Sequence, residues 1–210
     1  MPDYLSAEEA GAALNVSRET LDRLKRYTEF LLKWQRAINL IGSSTARDIW
    51  RRHVLDCGQL YPFLPAEKRP VVDIGSGAGL PGLVLAILGA QDVRLIESDS
   101  RKCVFLREAA RYAEANVSVI ESRAEKVKNL TAGVLTARAV APLTDLIELS
   151  KFMIKPNTIS IFLKGKSIES ELFDLKTNWN LKLEVHPSKT SPDGAIVRME
   201  SIKRVDALGN

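Results

Sequence analysis

Asp73-Ile74-Gly75-Ser76-Gly77-Ala78-Gly79-Leu80-Pro81-Gly82 is the stretch on which the reading of this chain turns. Val71-Val72 precede it and Leu83-Val84-Leu85-Ala86-Ile87-Leu88 follow it. A short β-branched run, then closely spaced glycines, then an apolar run is a strand, a tight turn and a helix. Glycine lets backbone turn sharply and approach a ligand with no side chain between them. Pro81 suits the first turn of the helix, where a missing N–H costs nothing.

Outward from this loop, short apolar runs alternate with helical patterns. Val93 to Ile96, Val117 to Ile120, Val134 to Ala137 and Thr158 to Leu163 read as further strands. Asp99 or Ser100 caps a helix through Cys103, Leu106, Ala110 and Ala113; Leu143 to Phe152 reads as another, and a third runs from beyond Gly165 to about Lys176. Leu181 to Val185 and Ala195 to Ile202 are strand-like with only a loop between them, which predicts an antiparallel pair. Strands separated by helices imply right-handed crossovers and an α/β fold with a mainly parallel, seven-stranded sheet. The first sixty residues read as helical. Ser6 with Glu9 has capping-box spacing, and Ser17 precedes an apolar face running from Leu21 to Ile38. A second helical pattern passes through Ile49, His53 and Leu60 before Pro62 and Pro65. The division expected is a helical extension over 1–66 and a sheet domain over 67–210.

Two ligand classes fit the glycines. Gly77, Gly79 and Gly82 satisfy G-x-G-x-x-G, with Glu97 about 20 residues on, as a dinucleotide site would. The other frame takes Gly75, Gly77 and Gly79 with Asp73 ahead of them, an acid at the strand's end able to meet a cation. In the dinucleotide frame Asp73 would be buried beside a pyrophosphate, which is electrostatically poor. S-adenosylmethionine carries an ammonium and a sulfonium and no phosphate, so the methyl donor is favoured. Glu97 can take ribose hydroxyls in either case. Ala124-Glu125 follow the third strand, where a loop can flank an adenine, while Arg138 and Lys164-Gly165 close the fourth and fifth strands at the edge of the same crevice. Arg51, Arg52 and His53 share a helix with Asp56 and offer cationic contacts to a polyanion.

These residues are similar to those of the bacterial small-subunit (16S) rRNA guanine-N7 methyltransferase family. The resemblance runs through Trp34 with Asn39-Leu40, Arg52-His53 with Leu55-Asp56, the glycine loop with its Leu80-Pro81-Gly82 continuation, Ala124-Glu125, Arg138-Ala139-Val140-Ala141-Pro142-Leu143 and Lys164-Gly165. Cys57 departs from it, since many relatives carry Ser there. The resemblance implies a class I (Rossmann-like) methyltransferase fold with an N-terminal helical extension. It also implies methyl transfer from S-adenosylmethionine to N7 of one guanosine in 16S rRNA, alone or in the small ribosomal subunit. By position, Gly75, Leu80, Ala124, Glu125 and Arg138 would contact the donor, Arg138 standing between donor and target as the catalytic residue. Arg51, Arg52, His53 and Lys164 are the expected RNA contacts. The glycine loop reports the donor rather than the acceptor, so a small-molecule or protein methyltransferase is the alternative, and a dinucleotide-binding redox protein a more distant one.

Composition sets the outer bounds. The 210 residues are 45% hydrophobic and 27% charged, ordinary globular values that exclude general disorder. Leu80 to Ala90 is the longest apolar stretch and is broken by Pro81, Gly82 and Gly89, too short to span a bilayer. Met1-Pro2-Asp3-Tyr4 has no basic head with an apolar run behind it, so no secretory signal is expected. Cys57 and Cys103 with His53 and His186 have no metal-ligand spacing, which predicts a cytoplasmic protein with reduced thiols and no metal. The net charge of +4 permits a nucleic-acid partner without establishing one. A monomer is the default expectation.

Overall fold

The computed structural model describes residues 4–138, 140–166 and 168–205. Ala139, inside the Arg138–Leu143 segment, lies outside the described residues. In the N-terminal part, α1 (Ala7–Ala13) starts at Ser6, whose side chain and Glu9 form the expected reciprocal capping box. Ser17 caps α2 (Arg18–Trp34). The predicted helical face runs on to Ile38, but α2 stops at Trp34. There the Gln35 side chain accepts from the N–H groups of Leu40 and Ile41 and donates to the Ile41 carbonyl, folding the chain back. The second predicted helix is three pieces: α3 (Ser43–Ala46), a wide π-type turn (Trp50–Leu55), and α4 (Asp56–Gly58).

The alternating part follows. Its elements are β1 (Val71–Ile74), α5 (Gly82–Ile87), β2 (Val93–Glu97), α6 (Ser100–Tyr112), β3 (Val117–Glu121), β4 (Val134–Arg138), α7 (Leu143–Ser150), β5 (Ile159–Lys164), α8 (Ile168–Asn178), β6 (Trp179–Pro187) and β7 (Ala195–Arg204). Asp99 caps α6, its carboxylate accepting from the N–H groups of Arg101 and Lys102. The seven strands form one sheet in the order β3-β2-β1-β4-β5-β7-β6. The first five are parallel, and β7 runs antiparallel to both β5 and β6, as expected from two strands with no helix between them.

Order reverses beside β1, with β2 on one side and β4 on the other, so a crevice opens at the carboxyl end of β1. One apolar cluster unites Leu24, Tyr27 and Leu31 of α2 with Leu83, Leu85 and Leu95 of the sheet domain. The other face packs Leu143, Leu146 and Ile147 of α7 and Leu175 of α8 on Val72, Leu135 and Phe162. The N-terminal helices thus share a core with the sheet and bring residues 40–56 to the crevice. Among the described residues, no helix is long and apolar enough to cross a membrane.

Candidate active site

The glycine loop is shaped by backbone demands. Gly75, Gly77 and Gly79 adopt φ of +64°, +53° and +85°, the left-handed region open to glycine at little cost. Gly82 meets a different demand: a Cβ there would stand 2.4 Å from Leu95 Cδ2 and 2.7 Å from Asp73 Cβ, so only glycine lets α5 settle on the sheet. Two ties hold the loop. The buried Tyr27 hydroxyl of α2 donates to the Ala78 carbonyl at 2.7 Å, and the Gly77 N–H donates to Glu97 Oε2 at 2.9 Å.

Asp73 is not at an open strand end. It is fully buried in the third of the four β1 positions, where Thr136 Oγ1 donates to its Oδ1 at 2.8 Å and Oδ2 has no close hydrogen-bond partner among the described residues. Burial pushes its pKa up to about 6, although Ser76, Thr136 and the Gly82 N–H each pull it down. The acid therefore sits below the loop and acts on it through charge. A carboxylate beneath the loop, close to the Gly82 N–H at the start of α5, is electrostatically unfavourable to a pyrophosphate there. This weighs against the dinucleotide frame.

Glu97 ends β2 nearly buried. Its Oε1 accepts from the N–H groups of Ser98 and Asp99 at 2.7 and 2.8 Å. With Gly75, Ala124, Glu125, Ser98 and Ser122 it lines a pocket of about 140 Å³. A wider cavity of about 640 Å³ adjoins it, lined by Gly75, Gly77, Leu80, Arg138, Lys164 and Gly165, and across from these by residues 40–56 and the β6–β7 loop. Gly75 belongs to both, and Val140 lies directly over it.

At the end of β4, Arg138 is clamped on three sides. Its Nη2 donates to His53 Nδ1 at 2.8 Å, and its Nη1 reaches the Arg52 carbonyl at 3.0 Å and Asp56 Oδ2 at 3.3 Å. The π-type turn presents two of these acceptors, and Asp56 at the start of α4 the third, to one guanidinium. An arginine only donates, so His53 Nδ1 carries a lone pair, its proton is on Nε2, and Nε2 donates to Thr45 Oγ1 at 2.9 Å. Burial, then the charges of Arg138 and Arg52, lower the His53 pKa to about 3. The other Asp56 oxygen accepts from Thr190 at 2.5 Å and Gln59 at 3.1 Å, and Gln59 also binds Ser188 and the Lys189 N–H. The β6–β7 loop is thereby tied to Arg138.

Two of the expected RNA contacts line the cavity but are engaged within the protein. His53 is a neutral, buried acceptor whose two nitrogens are both engaged. Lys164 lies against Glu171 at 2.7 Å and donates to the Ala141 carbonyl at 2.8 Å, bracing the loop after β4 at the cavity wall. Arg51 pairs with Asp48 at 3.2 Å on the α1 side. Arg52 is exposed at the cavity. Sequence reasoning missed the part played by Asp56, although its place three residues after His53 was visible. It gave no signal for Thr190 or Gln59, which join a loop to a helix more than a hundred residues away. Both cysteines are buried, and burial pushes each thiol up, so neither supplies a thiolate nucleophile at neutral pH. Among the described residues no three His, Cys, Asp or Glu side chains are grouped to hold a metal.

A family model described as rRNA small subunit methyltransferase G matches residues 20–194. The chain belongs to that family. It is similar to the ribosomal RNA small subunit methyltransferase G of Paramagnetospirillum magneticum, with 47% identity over 95% of this chain and 98% of the relative. The protein of that name from Rhodospirillum centenum is 48% identical over 91% and 88% of the two chains. Among solved structures, M. jannaschii TYW2 in complex with AdoMet matches at TM-score 0.54 with 18% identity, covering 73% of this chain and 76% of that one. The fold is that of the class I methyltransferases, with the N-terminal helices packed onto it. The residues at the crevice fit such a donor: backbone is exposed at Gly77, where a Cβ would meet nothing closer than 3.8 Å, and the carboxylates of Asp73 and Glu97 flank the loop.

Proposed function

We propose that this chain transfers a methyl group from S-adenosylmethionine to N7 of a guanosine in 16S rRNA, acting as a cytoplasmic monomer on the rRNA or the small subunit. The observation that carries the reading is the junction at Gly75, with Arg138 on the cavity side of it. There a narrow acid-bearing crevice meets a larger cavity with the exposed Arg52 at its edge.

In this assignment Gly75, Gly77, Gly79 and Leu80 bring backbone against the donor, and Asp73 adds negative charge from beneath. Glu97 accepts from the ribose hydroxyls, while Ala124 and Glu125 flank the adenine. Arg138 faces both ligands and orients the guanosine. Arg52, with Arg51 farther out, meets phosphates. When bound, S-adenosylmethionine supplies an electrophilic methyl group on a sulfonium that departs as a neutral thioether. Guanine N7 offers a lone pair and no proton, so no general base is required. The absence of a basic His at the site is then expected, since His53 has both nitrogens committed and cannot take a proton near neutral pH. The work left to the protein is alignment, which can supply about 7–11 kcal/mol when reactants are held in line.

The test is transfer of tritiated methyl to undermethylated small subunits, with the labelled nucleoside identified. Labelled 7-methylguanosine at one position is expected. Donor binding without transfer to rRNA would retain the donor site and overturn the acceptor.

A further inference from the structure

The glycines of the loop after β1 are demanded by positive φ or by close packing; Gly165 is not. Its φ lies outside the left-handed region, and a Cβ built on it would meet none of the described residues beyond its chain neighbours within 4 Å. The fold does not require glycine there. What the missing side chain leaves is open volume in the 640 Å³ cavity, at the carboxyl end of β5.

The sheet order tells which ligand that volume serves. Along the carboxyl edge, Glu97, Gly75, Arg138 and Gly165 follow β2, β1, β4 and β5 in turn. Strands lie about 4.8 Å apart and Arg138 pairs with Leu163, so Gly165 stands one strand over and two residues further along, roughly 8 Å from Arg138 and roughly 16 Å from Glu97. A donor whose ribose is at Glu97 and whose reacting end is at Arg138 stops short of it. Around this outer volume most polar side chains are already committed: Thr45 to His53 and the Gly42 carbonyl, Thr190 to Asp56, Ser188 to Gln59. Two are not. The Arg52 guanidinium and the Ser191 hydroxyl line the cavity and hydrogen-bond to none of the described residues. Leu40 and Ile41 add apolar surface to the same cavity.

We infer that the space before Gly165, walled by Leu40, Ile41 and Ser191, is the slot for the acceptor purine. This rests on the rRNA reading above and deepens it. The base lies flat against Gly165 and the apolar pair, Ser191 hydrogen-bonds its edge, and Arg52 meets the flanking phosphate. No Phe, Tyr or Trp among the described residues lines the cavity, so the base is held by shape and edge contacts rather than by aromatic stacking.

Three variants test the slot: Gly165→Ala, Gly165→Val and Ser191→Ala. Each is compared with the parent protein for melting temperature, for S-adenosylmethionine affinity by calorimetry, and for kcat/KM on undermethylated small subunits. Expected are unchanged melting, donor affinity within twofold, and a graded loss of kcat/KM: a few-fold for Gly165→Ala, at least 100-fold for Gly165→Val and about tenfold for Ser191→Ala. If Gly165→Val weakens donor binding as much as it slows transfer, the space belongs to the donor and the slot is wrong. Unchanged transfer in all three also overturns it. Should Gly165→Val fail to fold, the other two variants decide on the same criteria. Failure of the parent protein to label rRNA would instead remove the rRNA reading, and the slot with it.

Discussion

Asp73 and Arg138 are the residues whose surroundings make the sharpest demands. Asp73 is fully buried, one oxygen has no close hydrogen-bond partner among the described residues, and its pKa is raised from the usual 3.8 to about 6. Between those two values the folded protein holds a proton that the unfolded chain has lost, so this group's contribution to stability falls as pH rises through the window. Over the whole window the change is on the order of 3 kcal/mol. Replacement by Asn removes the titration. The stability of Asp73→Asn relative to the parent protein, measured by urea unfolding, should therefore improve by that order between pH 4 and pH 7, and a difference independent of pH would mean that Asp73 titrates as an ordinary acid. His53 acts in the opposite sense: lowered to about 3, it favours the fold above pH 6.5 and loses that contribution as pH falls. Arg138 uses its planar fork on three partners at once, a pattern an ammonium cannot copy. Arg138→Ala should reduce methyl transfer at subsaturating rRNA by tenfold or more, and Arg138→Lys should fail to restore it. Recovery in the Lys variant would show that charge alone is needed.

At the level of elements, the wide turn Trp50–Leu55, the end of β4 and the β6–β7 loop meet on a single ion pair between Arg138 and Asp56, both sides of which are less than a fifth exposed. Removing one member of such a pair leaves a charge with little solvent and costs about 3–5 kcal/mol. In a chain of this length that lowers the melting temperature by roughly 10 °C. Asp56→Ala should show this loss, and Thr190→Val a much smaller one, near 1 kcal/mol for a missing hydrogen bond; equal losses would place the loop, not the ion pair, at the centre of the junction. Little of this junction was legible in the sequence. Ile49, His53 and Leu60 carry spacing that an α-helix satisfies, and nothing local marks the widened turn. Thr190 lies 134 residues from Asp56, a distance no periodicity bridges. The strands were legible because β-branched runs lie between Gly, Pro and Asp. So was the glycine loop, whose positive-φ positions few other residues tolerate. The pairing of Lys164 was not legible, for a physical reason: a cation at a strand end looks the same in sequence whether it stands alone or, as here, meets a glutamate delivered by the following helix.

For the molecule as a whole, a modest net charge of +4 leaves open where a polyanion would bind, and the packing of the N-terminal helices onto the sheet narrows the choice. That shared core brings Arg52 to the cavity beside Arg138, while Arg51 on the same turn faces α1 and is paired with Asp48. Neighbours in sequence thus have different electrostatic lives. A cation that neutralises a phosphate releases condensed counterions, and removing one such cation reduces the slope of log affinity against log salt by about 0.7 to 0.9. Arg52→Ala should therefore lower the slope for rRNA binding by about that amount. Arg51→Ala should lower it by less, because Asp48 already offsets much of that charge. Titration of each variant with a 16S rRNA fragment at several salt concentrations gives the two slopes directly. Equal reductions would mean that the Arg51–Asp48 pair opens when RNA binds; no reduction for Arg52 would move the RNA path away from the cavity and return Arg52 to a solvated face.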